Sequence, residues 1–294
     1  MTGDGAFQGP SDLHTHSRAS DGTQTPHDLV LAAAAAGLGT IALTDHDSTA
    51  GWDEAARAAI RAGITLIPGL ELSTRIAHAS VHLLGYLPNP ANAELMAEIQ
   101  RIRSARLSRA AWIVEQISAD YDLTWDDVLA QTAEGAAIGR PHIADALVAR
   151  GVVTDRSAAF AGILHWNGGY YRPLYAPDPE VGVRLVRDAG GVPVLAHPAA
   201  GGRGRIMARE KLARLVDAGL FGLEIEHREN TPDGKVWLYA LAAEFGLAVT
   251  GSSDYHGAGK PNQLGENTTD ATVVAAIIAE GTGSSPVYPA RVVE

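Results

Sequence analysis

The stretches Asp12-Leu-His-Thr-His16 and Thr40-Ile-Ala-Leu-Thr-Asp-His46 are short strand-like segments that each end in a histidine. In an extended strand, residues two apart face the same side, so His14 and His16 can reach one ion. A lone His-x-His pair is a weak signal, because core and surface histidines are common. The recurrence of the pattern at His46 indicates a shared metal site at consecutive strand ends.

Strand-like and helix-like segments alternate along the chain, which favours βα units over a sandwich or a bundle. Helical patterns fit between most of the predicted strands, the first with Thr25 as its cap and Pro26 at its first position. The carboxyl ends of parallel strands share one face, where barrel active sites are built, so ligand-type residues far apart in sequence are expected to meet there. The predicted strands are 12–16, 40–44, 65–68, 80–84, 192–196, 222–226 and 248–251.

About a hundred residues separate the strand that ends near Gly85 from the one that begins at Val192, too many for an ordinary connection. Helical patterns at 94–118, 124–131, 140–150 and 157–164 fill this interval. We therefore predict a helical subdomain at 91–175, inserted into a barrel domain formed by 11–90 and 176–294. Such an insertion can cover the pocket.

Composition narrows the classes of protein that fit. The 294 residues are 46% hydrophobic, which suffices for a globular core, and the net charge of −11 disfavours stable binding of long nucleic acids or anionic membranes. Without cysteine, a metal must bind through histidine and carboxylate. The start lacks a signal-peptide pattern and no apolar run is long enough to cross a membrane, so we expect a cytoplasmic protein of undetermined oligomeric state.

Six motifs resemble, in the same order along the chain, those of the polymerase and histidinol phosphatase (PHP) family of metal-dependent phosphoesterases. The resemblance implies an α/β fold, a distorted seven-stranded (β/α) barrel, and it covers almost the whole chain. The motifs are Asp-Leu-His-Thr-His-Ser with Ser-Asp-Gly-Thr in 12–23, Leu-Thr-Asp-His-Asp at 43–47, Pro-Gly-Leu-Glu-Leu-Ser at 68–73, Val-His-Leu-Leu-Gly-Tyr at 81–86, Ala-His-Pro at 196–198 and Gly-Ser-Ser-Asp-Tyr-His at 251–256.

The resemblance also implies which residues hold two or three divalent ions, with Mn²⁺ expected first and Fe²⁺ or Zn²⁺ as alternatives. His197 has a second interpretation, as a residue that contacts the substrate. The implied ligands are His14, His16, Glu71 and Asp254 for one ion, Asp21, His46 and His256 for a second, and Glu71, His82 and His197 for a third.

Gly139-Arg-Pro-His142, with 148–153 and 170–173, resembles the subgroup that includes nucleoside 3′,5′-bisphosphate phosphatases. The guanidinium of Arg140 can bind two phosphate oxygens beside a helix start, although a surface ion pair is the alternative. His142 is interpreted as a phosphate ligand or a structural residue. Arg203 and Arg205 belong either to a second phosphate site or to a solvated loop.

These assignments predict a small phosphorylated substrate, a nucleotide or short oligonucleotide, that is hydrolysed at phosphorus. Asp254 is expected to orient or deprotonate the water, Arg140 to neutralise the phosphoryl oxygens and His197 to protonate the leaving alkoxide. The leading hypothesis is removal of the 3′-phosphate from nucleoside 3′,5′-bisphosphates, with trimming of short 5′-phosphorylated oligonucleotides. A cyclic-phosphate phosphodiesterase, a histidinol phosphate phosphatase and a non-catalytic domain are the alternatives, and the complete ligand set favours an enzyme.

Two acids beside His46 receive different interpretations. Asp45 is expected to orient a ligand histidine, and Asp47 to cap a helix that begins near Ser48. The remaining histidines without an acidic partner motif are interpreted as ordinary core or surface residues, with a position lining the site as the alternative for His227: His27, His78, His165 and His227.

Overall fold

The computed structural model describes residues 9–77, 79–201 and 207–290. Seven strands pair in chain order in one sheet that closes almost completely into a barrel, with an isolated bridge from Thr15 to Tyr255 across the closing edge. The prediction of a distorted seven-stranded (β/α) barrel is therefore confirmed. The strands are β1 (Ser11–Thr15), β2 (Thr40–Leu43), β3 (Thr65–Ile76), β4 (Ala79–Tyr86), β5 (Val192–Ala196), β6 (Gly222–Glu226) and β7 (Ala248–Gly251).

Seven of the ten described α-helices begin at a residue whose side chain accepts a hydrogen bond from the first turn, and the predicted cap Thr25 is among them. These residues are Thr25, Asn92, Thr124, Asp155, Asp178, Thr231 and Asp270. None of the described helices is long and apolar enough to cross a membrane. The helices are α1 (Pro26–Ala35), α2 (Trp52–Ala62), α3 (Ala93–Ile117), α4 (Trp125–Ala130), α5 (Arg140–Ala149), α6 (Arg156–Ala161), α7 (Pro179–Asp188), α8 (Arg209–Asp217), α9 (Pro232–Phe245) and α10 (Ala271–Glu280).

Strand β4 runs against both of its neighbours and interrupts the parallel order. It follows β3 after residues 77 and 78, and β3 extends to Ile76, well past the predicted end at 68. The reversal means that β4 begins at the face where the parallel strands end, and it carries His82 there beside Ala196 of β5.

Helix α3 connects the barrel to the inserted helices. Strand β4 ends at Tyr86, which pairs with Val192 at the opposite end of the barrel from the ligand-bearing strand ends. The 25 residues of α3 form a helix about 37 Å long that runs along the sheet toward the inserted helices. Its first half packs in the core between the sheet and its outer helices, at Leu95 and Ile99, and its second half joins the core of the insertion.

Helices α4, α5 and α6 share a hydrophobic core with the second half of α3. Ile113, Val128, Ile143, Leu147 and Ala159 are fully buried in it. The four predicted helical segments of this interval are thus all present. The subdomain boundaries at residues 91 and 175 stay a prediction.

Candidate metal centre

The first predicted ligand set meets at the carboxyl ends of the strands. His14 Nε2 and His16 Nε2 lie 3.0 Å apart. Glu71 Oε2 lies 3.4 and 3.2 Å from these two nitrogens, and Asp254 Oδ1 lies 3.4 and 3.3 Å from them. All four side chains are buried. The structure therefore brings together every residue predicted for the first ion.

The spacing of these four atoms fits a cation among them. Four ligands about 2.1 Å from one ion are about 3.4 Å apart in a tetrahedron, close to the distances found here. Two imidazole nitrogens that face each other at 3.0 Å can share only one proton, whereas both lone pairs can coordinate one ion. The donor set of nitrogen and carboxylate oxygen suits a divalent transition metal.

The second predicted set lies beside the first and gains one member. Asp21 Oδ1 is 3.2 Å from His256 Nε2, and Asp21 Oδ2 is 3.7 Å from His46 Nε2. His16 joins this set, because its Nδ1 lies 3.7 Å from Asp21 Oδ1 while its Nε2 faces the first. The ligand atoms of these four residues all lie within 4.8 Å of one another.

Glu71 connects the third predicted set to the other two. Its Oε1 lies 2.8 Å from His82 Nδ1 and 3.3 Å from His197 Nε2, and its Oε2 lies 3.0 Å from His46 Nδ1. The three-residue group that forms is His46, Glu71 and His82, whereas His197 groups with His14 and another carboxylate. The third set is therefore only partly assembled as predicted.

Several buried imidazole nitrogens in this region make no hydrogen bond of good geometry. Leaving such an atom unpaired costs about 1–3 kcal/mol. Coordination of a cation satisfies these lone pairs, so their number at one place supports a metal centre. One of these atoms is His197 Nδ1, and the others, each with a carboxylate oxygen at 2.8–3.6 Å, are His46 Nδ1, His82 Nδ1, His227 Nε2 and His256 Nε2.

Backbone strain marks the same face of the barrel. Asp47, His197 and Asp254 have φ angles of 47°, 29° and 54°, in the left-handed region that residues with a side chain seldom adopt. Such conformations persist where the surrounding structure holds them, and they concentrate at functional sites. Two of the three are predicted site residues, and the third follows the predicted ligand His46.

Charges within the centre shift its pKa values in both directions. Burial opposes protonation of His16, but hydrogen bonds to Asp254 and Glu71 raise its pKa to about 9. Burial would raise the pKa of Asp254, but Lys260 and His14 hold it well below its usual range. Burial together with the charge of Lys260 lowers the pKa of His256 to about 4. The protein therefore holds anionic carboxylates and at least one neutral imidazole here.

The raised pKa of His16 predicts pH-dependent metal binding. Below pH 9 the metal must displace the His16 proton, so affinity is expected to rise about tenfold per pH unit for each proton displaced. Competition with a fluorescent chelator at pH 7 and pH 8, corrected for the chelator's own protonation, measures this rise in Mn²⁺ affinity. Equal affinities at the two pH values would contradict the prediction.

Glu224 belongs to the centre and was not predicted from the sequence. Its carboxylate accepts a hydrogen bond from His14 Nδ1 at 2.9 Å and one from the His197 backbone N–H at 2.9 Å. The first bond places the His14 proton on Nδ1 and leaves Nε2 as a ligand. A sequence signal was present in the two acids of Gly222-Leu-Glu-Ile-Glu226, but the acid at the end of the strand, Glu226, accepts hydrogen bonds from Lys235 and Tyr239 instead.

Replacing Glu224 with glutamine is expected to weaken metal binding by about 10- to 100-fold, since the orientation of His14 is then held by a neutral amide. Metal titration of the apoprotein measures the effect, and thermal unfolding of the same variant reports any loss of folding. Glu226→Gln on the same strand is the matched control. Unchanged metal affinity in Glu224→Gln would show that His14 is oriented without this carboxylate.

Two further residues of the centre were missed. His227, interpreted from the sequence as an ordinary histidine, is fully buried with Nε2 3.6 Å from Asp254 Oδ2. Lys260 donates to the same oxygen at 2.6 Å. Its position after the glycine-rich segment 257–259 gave no pattern that would point to the site.

The acids beside His46 hold the ligand-bearing loops. Asp45 accepts bonds from the Ser17 N–H at 2.8 Å and the Ser20 hydroxyl at 2.6 Å, so it positions the loop that carries Asp21 rather than His46 itself. The prediction that Asp47 caps a helix near Ser48 is wrong, because α2 begins at Trp52. The Asp47 carboxylate instead accepts hydrogen bonds from Ser73 of β3 and Arg106 of α3.

The predicted substrate residues lie in the inserted helices or outside the described chain. The Arg140 guanidinium lies 5.2 and 5.6 Å from the ring centroids of Phe160 and Tyr171. Its Nη1 donates to the Leu164 carbonyl at 3.2 Å. His142 is buried, with hydrogen bonds to the backbones of Gly139 and Ser20. Arg203 and Arg205 lie outside the described residues.

Comparisons with known proteins agree with this site. A family model described as "PHP domain" matches residues 12–134. The chain is 33% identical to a 3′,5′-nucleoside bisphosphate phosphatase of Chromobacterium violaceum, over 88% of this chain and 91% of the relative. It is 32% identical to a 5′-3′ exoribonuclease of Haemophilus influenzae, over 83% and 89%. It is 30% identical to a phosphoribosyl 1,2-cyclic phosphate 1,2-diphosphodiesterase of Eggerthella lenta, over 84% and 94%.

A solved structure extends the likeness to the whole fold. A proposed metal-dependent phosphoesterase of Bifidobacterium adolescentis superposes with a TM-score of 0.91 at 44% identity, covering 94% of this chain and 98% of that one. A barrel that gathers histidines and carboxylates at its strand ends is typical of metal-dependent hydrolases. The chain belongs to the PHP family, and it is a hydrolase that acts on phosphoesters.

Proposed function

We propose that the protein removes the 3′-phosphate from nucleoside 3′,5′-bisphosphates and trims short 5′-phosphorylated oligonucleotides. The observation that carries the proposal is the identity of 33% to a bisphosphate phosphatase over 91% of that relative, a match long enough to include the inserted helices. Hydrolysis of a cyclic phosphate is the second candidate, favoured by the similarity to the Eggerthella lenta diesterase.

For the metal centre we propose two ions, with Mn²⁺ as the first choice and Fe²⁺ or Zn²⁺ as alternatives. The contacts support His14, His16, Glu71 and Asp254 as ligands of one ion, and Asp21, His46 and His256 as ligands of the other. A third ion at Glu71 and His82, with His197, has weaker support, because the ligand atoms of His197 group elsewhere.

Bound ions supply a Lewis acid for the phosphoryl oxygens and lower the pKa of a nucleophilic water. In this proposal the Asp254 carboxylate, held anionic by Lys260, orients that water. His197, whose Nε2 lies 3.3 Å from Glu71 Oε1, is proposed to protonate the leaving oxygen. Arg140 is proposed to bind phosphate oxygens with a guanidinium that two aromatic rings hold in place.

The remaining substrate residues have unequal support. The backbone hydrogen bonds of His142 favour its structural interpretation, in which it joins α5 to the loop that carries Asp21. The roles of Arg203 and Arg205 stay predictions.

Phosphate release from adenosine 3′,5′-bisphosphate, a cyclic nucleotide, a 5′-phosphorylated dinucleotide and histidinol phosphate tests the proposal. With Mn²⁺-reconstituted protein we expect the bisphosphate to be hydrolysed fastest, EDTA to abolish the release, and Arg140→Ala to reduce it about 10- to 100-fold. Turnover of the cyclic nucleotide alone would favour the second candidate. Turnover of none by protein shown to hold two ions would reject both.

A further inference from the structure

A cleft of about 580 Å³ opens between the inserted helices α5 and α6 and the loop that follows β7. Asp21 and His256 line its inner end, so the cleft begins at the proposed second ion. Its volume lies within the range of sites for small organic ligands. A phosphate held at the ions would therefore leave the rest of its molecule in this cleft.

Three cationic residues, Arg156, Arg228 and Lys260, line the cleft together with Glu229. Lys260 donates one of its three hydrogens to Asp254 at 2.6 Å, and its side chain is 34% exposed. Arg228 pairs through Nε with Glu266 at 3.1 Å and keeps 39% of its side chain exposed. In a chain of net charge −11, an anionic ligand in the cleft would contact these two cations, although Glu229 lies on the same lining.

The opposite wall of the cleft is aromatic and belongs to the insertion. Phe160 is half-buried and lines the cleft beside Pro141 and Ser157. The guanidinium of Arg140 lies 5.2 Å from its ring centroid and holds it in place. Stacking of a nucleic acid base on an aromatic ring is worth about 1–3 kcal/mol. The wall thus offers a surface for a base, opposite two cations for a phosphate.

We propose that this cleft binds the part of the substrate beyond the scissile phosphate: a nucleoside base against Phe160 and a second phosphate beside Arg228 and Lys260. The inference rests on the proposed function and names the residues that select a nucleotide with two phosphates. Arg156 has a different role. Its guanidinium donates hydrogen bonds to the Asp145 carboxylate and to the Asp21 carbonyl, so it stabilises the wall of the cleft rather than binding a ligand.

The test compares substrates that lack first the 5′-phosphate and then the nucleoside. Each missing group is matched with a variant of the residue proposed to contact it. Adenosine 3′,5′-bisphosphate, adenosine 3′-monophosphate and p-nitrophenyl phosphate are compared by kcat/KM with Mn²⁺-loaded protein. Arg228→Ala is expected to reduce the preference for the bisphosphate over the 3′-monophosphate about tenfold, with Arg228→Lys restoring part of it. Phe160→Leu, which keeps an apolar side chain, is expected to reduce the preference for the 3′-monophosphate over p-nitrophenyl phosphate by about five- to tenfold.

Arg184→Ala is the matched control, because Arg184 pairs with Glu180 on the surface of α7. If the unmodified protein hydrolyses p-nitrophenyl phosphate but neither nucleotide, the proposed function fails and the assignment of the cleft fails with it. If it hydrolyses the bisphosphate, but Arg228→Ala and Phe160→Leu keep its substrate preferences, only the assignment of the cleft is overturned. Metal content of each variant, measured alongside, separates a loss of binding from a loss of the ions.

Discussion

Glu71→Gln is expected to lower phosphoester hydrolysis by about three orders of magnitude and to reduce the number of ions bound. Its Oε2 lies 3.4 and 3.2 Å from the Nε2 atoms of His14 and His16, and its Oε1 lies 2.8 Å from His82 Nδ1. Glutamine at position 71 removes a negative charge from the middle of the site. Its amide N–H would face imidazole nitrogens whose lone pairs would otherwise coordinate a cation. Loss of the ions removes both the Lewis acid and the activated water.

Metal analysis of purified Glu71→Gln, together with its rate of p-nitrophenyl phosphate hydrolysis, measures this effect. Glu180→Gln makes the same chemical change at an exposed ion pair and should keep both properties. A Glu71→Gln protein with the metal content and rate of the unmodified chain would contradict the central position of this carboxylate.

Arg106→Ala is expected to lower the free energy of unfolding by about 3–5 kcal/mol, the cost of breaking a buried ion pair from one side. Arg106 Nε donates to Asp47 Oδ2 at 2.7 Å and its Nη2 donates to the Ser73 hydroxyl at 2.7 Å. Asp47 is fully buried and would keep only its two bonds from Ser73. Chemical denaturation followed by circular dichroism measures the change.

Arg101→Ala is the control on the same helix. The Arg101 side chain is 66% exposed and pairs with Glu98, and surface ion pairs contribute about 0–1 kcal/mol to stability. Arg106→Lys keeps the charge but loses the planar fork, so an intermediate stability is expected. A denaturation midpoint for Arg106→Ala equal to that of the unmodified protein would show that the pair contributes no net stability.

The parallel strands were predictable because each carries apolar residues close to a polar residue at or just after its end. The length of β3 was not, since residues 69–76 become a strand only by pairing with β4, a partner that the local pattern does not reveal. The same limit explains Asp47. Its position before Ser48 indicated a helix cap, but the carboxylate is taken by Arg106, 59 residues further along the chain.

The site shows a similar division between local pattern and tertiary contact. His14 and His16 could be paired from strand geometry alone, and the resemblance to a family supplied the more distant partners. Period-two alternation puts Glu224 and Glu226 on one face, yet the register of β6 against β7 shifts between them. One carboxylate therefore enters the site while the other stays at the surface.

The pairing of Tyr86 with Val192 places the two ends of the segment 87–191 on adjacent strands, directly opposite each other in the sheet. A hairpin turn of a few residues would join them without altering the register of any strand. The inserted helices, which have a core of their own, can therefore be lengthened, shortened or exchanged during evolution while the first half of α3 and helix α7 stay packed against the sheet. The metal ligands, which the barrel holds, can thereby persist while the substrate contacts made by the insertion change.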